Sequence, residues 1–180
     1  GCSVHAQEVL RTFIRRGADV QLFAASLGGD VPAELEALTI HRLAKSDHND
    51  PGRREQEAIA QNEKIIEQLT KAGPFDLVYE RYSLWATGAM EFARGADTPG
   101  VLEVNSPLIE EQRRHRVLVD GQAAESIARR SFQAASCICA VSHQVADWVR
   151  DYGGSESKLH VVPNGVCPQR FSPYLPPVDP

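Results

Sequence analysis

Positive charge is in deficit: 19 Lys and Arg face 24 Asp and Glu, for a net charge of −5 over 180 residues. That balance gives no basis for a nucleic-acid footprint, which needs a basic surface. No apolar run approaches the ~20 residues of a membrane helix. Cysteine is scarce, with four thiols at Cys2, Cys137, Cys139 and Cys167 and neither a CxxC redox pair nor a zinc spacing among them. Three glycine signatures are missing as well. Without GxGxxG after a strand there is no nicotinamide phosphate loop, and without GxxxxGK[ST] there is no P-loop. Without GxSxG there is no hydrolase nucleophile elbow. The chain also lacks internal repeats and low-complexity stretches.

What is present is ordinary for a soluble α/β protein: 42% hydrophobic and 24% charged residues, enough to bury a core in one domain. Val9, Leu10, Phe13 and Ile14 form one apolar stripe, predicting a helix over 4–16 that stops at Gly17. Short strands are expected at DVQLFAA and around LTIHRL (38–43). A long helix over 54–72 is closed by Gly73-Pro74. Beyond it the alternation is plain: strand 75–81, helix 84–95, strand 100–105, one long helix over 108–134 and strand 136–141. Ser142 caps a last helix whose Val145, Trp148, Val149 and Tyr152 share a face, and a strand follows at 158–162. Strands alternating with helices predict a parallel sheet with helices on both faces. The prolines of PYLPPVDP make 173–180 an extended linker, so the expected division is a domain over 1–172 and a linker that leads to a partner domain. Cys137 and Cys139, two apart on a strand, share a face and read as reduced, buried thiols, with the cytosol as default compartment.

Two strands end in polar groups, VYERYS and VLEVNS, and open parallel sheets bind ligands beyond the carboxyl ends of their strands. Glu103 would cost several kcal/mol if buried unpaired, and Arg81 is the expected partner. That pair could serve only to hold two strand ends. Tyr82, Asn105 and Ser106 nevertheless add hydrogen-bonding groups suited to a polyhydroxylated ligand. Glu111 and His115, four apart on a helix among arginines, read as a solvated face rather than a metal site. The cluster Arg113–Arg116 leaves contact with a phosphate or an anionic membrane open. At the other end, GCSVH is a glycine turn leading into a helix, whose free N–H groups favour an anion. Ser3 is a candidate N-cap there, and His5 lies in the first turn.

Three stretches together resemble the amino-terminal half of a retaining glycosyltransferase of family 4, with the GT-B fold: GCSVHAQEVLRTFIRRGADVQLFA, FDLVYERYSLWATG with GVLEVNSPLIEEQ, and AVSHQVADWVRDYGGSESKLHVVPNGVCPQRFSP. The resemblance implies a Rossmann-like domain that is one half of a two-domain fold, with the family's first strand upstream of Gly1. It implies metal-independent transfer of a sugar, with retention, from a nucleotide-sugar to a hydroxyl acceptor on a sugar, lipid or small molecule. The nucleotide-sugar is a substrate, and no cofactor or metal is implied. A carboxyl-terminal domain would hold the donor, so this half alone should be inactive. Tyr82 and Ser106, with Arg81 and Glu103 beside them, fall at acceptor positions, and Gly1, Cys2, Ser3 and His5 lie near the donor phosphates. Asn105 stands where many relatives have histidine, which implies that it orients a hydroxyl rather than removing a proton. Some relatives glycosylate lipids, which keeps peripheral contact with the inner face of a membrane open. The alternative from another class is a non-catalytic α/β module that binds a sugar or nucleotide.

Overall fold

Among the described residues every strand pairing is parallel, in one sheet of two strands and one of four. The computed structural model describes residues 2–27, 32, 35–45 and 48–165, apart from the side chains of Cys2 and Ser3. The expected linker 173–180 lies outside that range. The chain divides into two units, Gly1–Leu43 with Asn164–Pro180, and Ala44–Pro163.

The first unit holds helix α1 (Cys2–Arg15) and strands β1 (Gln21–Ala24) and β2 (Thr39–Arg42). The strands run in register from Gln21 opposite Thr39 to Ala24 opposite Arg42. Phe23 stacks on His41 with ring centroids 4.2 Å apart, and His41 Nε2 shares a hydrogen bond with Gln21 Oε1 at 2.7 Å. Cross-strand pairs of this kind fix register. Because α1 begins at Cys2, Ser3 lies inside its first turn and not at the cap position expected for it.

The second unit is a run of βα units. It comprises α2 (Pro51–Ala72), β3 (Val78–Arg81), α3 (Gly88–Gly95), β4 (Gly100–Val104), α4 (Leu108–His115), α5 (Gly121–Ala134), β5 (Cys137–Ala140), α6 (His143–Asp151) and β6 (Leu159–Val161). The strand order is β3-β4-β5-β6. Strands in sequential order, joined by crossovers of one hand, place their helices on one face of the sheet. That face is apolar: Leu102, Val104, Ile138 and Ala140 are fully buried there, with Val78 and Leu159 close to it. Phe132 of α5, Met90 of α3 and Val149 of α6 complete the core, each with no exposed surface.

Several boundaries differ from the sequence reading, and at three of them a buried or capping side chain gives the cause. The long helix α2 starts at Pro51 rather than 54, because the Asp50 carboxylate accepts from Arg53 N at 2.7 Å and Pro51 suits the first helical position. Helix α3 starts at Gly88 rather than 84. The buried Asn62 side chain of α2 accepts from both Thr87 N and Gly88 N at 2.8 Å, so the chain from Leu84 is held as a turn. A Cβ on Gly88 would stand 2.6 Å from the Asn62 carbonyl oxygen, and only glycine allows that approach. The single helix expected over 108–134 is two helices. The break at Arg116–Asp120 is stabilised by Glu55, also buried in α2, which accepts from Val119 N at 2.9 Å and Asp120 N at 2.8 Å. Asp120 then caps α5 through Ala123 N. At the end of α6, Gly153 takes φ +84, the left-handed stop that glycine accommodates.

Candidate functional site

Parallel register puts paired residues on the same face of the sheet. Arg81 is opposite Glu103, Glu103 opposite Cys139, and Cys139 opposite His160. With the period of two along each strand, Tyr79, Arg81, Glu103, Asn105 and Cys139 therefore lie on the face away from the helices just described. Glu80, Tyr82, Leu102 and Val104 lie on the packed face.

The polar face carries the site. Glu103 is 5% exposed, and within this unit its carboxylate accepts from the Tyr79 hydroxyl through one oxygen and from the Asn105 amide through the other. These two donors are the tyrosine hydroxyl and the asparagine amide, and Arg81, the partner expected from the sequence, lies opposite Glu103 in the strand register. Burial, and then the bond to Glu103, push the Tyr79 phenol up from its ordinary value, so it remains a donor at neutral pH. Asn105 turns its amide nitrogen toward Glu103, which aims its Oδ1 away from the carboxylate. The result is a hydrogen-bond acceptor held in one orientation at the carboxyl end of β4. Ser106, half-buried, follows at once and leads into α4 through its carbonyl, which accepts from Leu108 N at 3.0 Å.

Tyr82 departs from the rim expected for it. Its backbone N–H continues the ladder to Glu103 O at 2.8 Å, but its ring turns into the core, 5.5 Å from Phe132 and 5.8 Å from Trp148 by centroids. The residue is 6% exposed and its hydroxyl is sealed with no hydrogen-bond partner. Tyr82 and Asn105 thus lie on opposite faces of the sheet. Removing a buried, unpartnered hydroxyl relieves a desolvation cost, so Tyr82→Phe should keep or raise stability, by up to about 1 kcal/mol. Thermal melts would check it, and a clear fall in melting temperature would show that the hydroxyl is engaged.

The same aromatic cluster anchors α4. Trp148 Nε1 donates to Glu110 Oε2 at 2.6 Å and the Tyr152 hydroxyl to Glu110 Oε1 at 2.9 Å, so α6 holds the first turn of the helix that follows Asn105-Ser106. Sequence reasoning missed Glu110, and it also missed Tyr79. The signal for Tyr79 was available, since it lies two residues before Arg81 on the same strand face.

Of the candidate phosphate loop, Gly1 lies outside the described residues, and Cys2, Ser3 and His5 all fall in the first turn of α1, with His5 half-buried. Among the described residues no three His, Cys, Asp or Glu side chains converge to hold a metal ion, and no helix is long and apolar enough to cross a membrane.

A family model for Glycosyltransferase Family 4 matches residues 1–170. The chain belongs to glycosyltransferase family 4. It is an amino-terminal GT-B domain with the Rossmann-like α/β architecture that the strand order gives. A search of curated proteins found no match. For a family 4 glycosyltransferase the partners are a sugar donor and an acceptor, and the oriented amide at the end of β4 is placed where open parallel sheets meet their ligands.

Proposed function

We propose that this domain is the acceptor-binding half of a retaining, metal-independent glycosyltransferase that moves a sugar from a nucleotide-sugar to a hydroxyl. The observation that carries this reading is the Tyr79–Glu103–Asn105 network. A buried carboxylate fixes an amide so that Oδ1 can accept from an acceptor hydroxyl. Asparagine does not take up a proton, so its contribution is orientation, which acts by holding the attacking oxygen near its line of approach. Arg81 and Ser106 flank the network on the acceptor side. The family resemblance assigns Gly1, Cys2, Ser3 and His5 to the donor phosphates, where helix N–H groups would stabilise a departing anion. No cofactor takes part; the nucleotide-sugar is a substrate held by a second domain, and without that domain the transition state lacks its leaving-group stabilisation. The domain alone therefore gives no turnover. The site is open to sugar, lipid or small-molecule hydroxyls, and contact with the inner face of a membrane accompanies the lipid case.

In the full-length protein, Asn105→Ala should cut turnover at least tenfold, in the range typical of a lost positioning group, while the protein stays folded with its stability lowered by about 1–3 kcal/mol because Glu103 loses a donor. Steady-state transfer, assayed with whichever nucleotide-sugar shows slow hydrolysis in a panel, checks it. Unchanged kinetics would remove Asn105 from the mechanism, and activity lost to a chelator would end the metal-independent reading.

A further inference from the structure

Cys137 and Cys139 present two thiols from one strand. Both are free and half-buried, and their Sγ atoms lie 4.0 Å apart. Ile138 between them turns into the core with no exposed surface, which fixes both sulfurs to the same side of β5. The two sulfurs are thus held parallel before any ligand arrives, and preorganisation favours a ligand that both can grip.

We propose that Cys137 and Cys139 form a dithiol site for soft, thiophilic ligands of the trivalent organoarsenical class, bridged by both sulfurs. The spacing supports a bridging atom over a direct bond. Trivalent arsenic is pyramidal, and with sulfur bonds of about 2.3 Å and an angle below tetrahedral it sets its sulfurs about 3.5 Å apart, so a small rotation of the two side chains closes the 4.0 Å separation onto a bridging atom. A disulfide needs its sulfurs at about 2.0 Å and favours Cα atoms about 5.5–6 Å apart, whereas two residues along an extended strand span about 6.6 Å. The site has two protein ligands, since no three metal-binding side chains converge among the described residues. The chemistry is a condensation. An arsenic oxide meets two S–H groups, two As–S bonds form, the As–O bond and both S–H bonds break, and one water leaves. Nothing is oxidised or reduced. Burial, with Cys137 and then Glu103 adding to it, pushes the Cys139 thiol up to about 11. Reagents that attack one thiolate at a time are therefore disfavoured there, while a ligand gripping both sulfurs is retained. The site stands on the thiols alone and does not depend on the function proposed above.

Intact-mass spectrometry of the reduced, folded chain with one equivalent of phenylarsine oxide tests the site. One adduct is expected that withstands excess 2-mercaptoethanol and is removed by 2,3-dimercaptopropanol. Cys137→Ser and Cys139→Ser should each lower its occupancy at least tenfold, and the double variant Cys2→Ser/Cys167→Ser should keep it. If either single variant fails to fold by circular dichroism, the double variant decides, because it leaves β5 untouched. No monothiol-resistant adduct on the parent, survival of the adduct in folded Cys137→Ser, or its loss from the double variant would each overturn the proposal.

Discussion

Asn62→Ala should destabilise the domain by about 3–5 kcal/mol, as much as truncating a large core side chain. Asn62 is 8% exposed. Its Oδ1 accepts from Thr87 N and Gly88 N, and its Nδ2 donates to Ile59 O and Trp85 O, all at 2.8 Å. Alanine strands two backbone donors at the start of α3 and deprives the Trp85 carbonyl of a donor. Each buried group left without a partner costs about 1–3 kcal/mol, and a lost helix cap adds about 1 kcal/mol. These costs overlap, so the total falls below their sum. Asn62→Asp keeps the acceptor and loses the donor, and should fall between parent and alanine. Gly88→Ala attacks the same contact from the other side, because its Cβ would meet Asn62 backbone. Urea unfolding would measure all three. A loss under about 1 kcal/mol for Asn62→Ala would show that the turn from Leu84 to Gly88 holds itself.

The second large effect concerns pH. Glu80 lies on the packed face, its Oε2 sealed and without a hydrogen-bond partner although part of the residue is exposed. Burial raises its carboxyl from 4.5 to about 7. A raised folded-state value means that the native protein holds this proton longer than the unfolded chain does. The associated stability is fully present below pH 4.5, declines as pH rises, and is gone above about 7. At about 1.4 kcal/mol per unit, the change between those limits is up to about 3 kcal/mol. Glu80→Gln cannot titrate, so the parent-minus-variant difference isolates Glu80 from the six histidines. Unfolding free energies at pH 5 and pH 8 should diverge between the two proteins by about that amount. Parallel curves would mean that water reaches the carboxyl.

Much of the domain's architecture is readable from local signals. Glycine stops, apolar runs and the Ser142 cap place most helices and strands, and period-two alternation puts Glu103 and Asn105 on one face. The same alternation puts Tyr82 on the face opposite Arg81, a signal that the polar run VYERYS obscures because its residues look like one cluster. What local signals do not carry is tertiary control of breaks. The α4–α5 junction reads as helix until Glu55, more than sixty positions earlier, accepts from Val119 and Asp120. The late start of α3 likewise depends on Asn62. Nor does sequence alone single out Tyr79, which shares its strand face with Arg81, as a donor to Glu103.

The two faces of the β3–β4 ribbon also bear on how this domain can diversify. Along these strands, with Tyr82 and Asn105 as their extensions, even positions such as Leu102, Val104 and Tyr82 are buried against the helices, while odd positions such as Tyr79, Arg81 and Asn105 look the other way. A randomised library at the exposed ends of the odd face must therefore keep Tyr79, Glu103 and Asn105 together as one buried network, whereas one that reaches the even positions would spend most of its members on chains that do not fold.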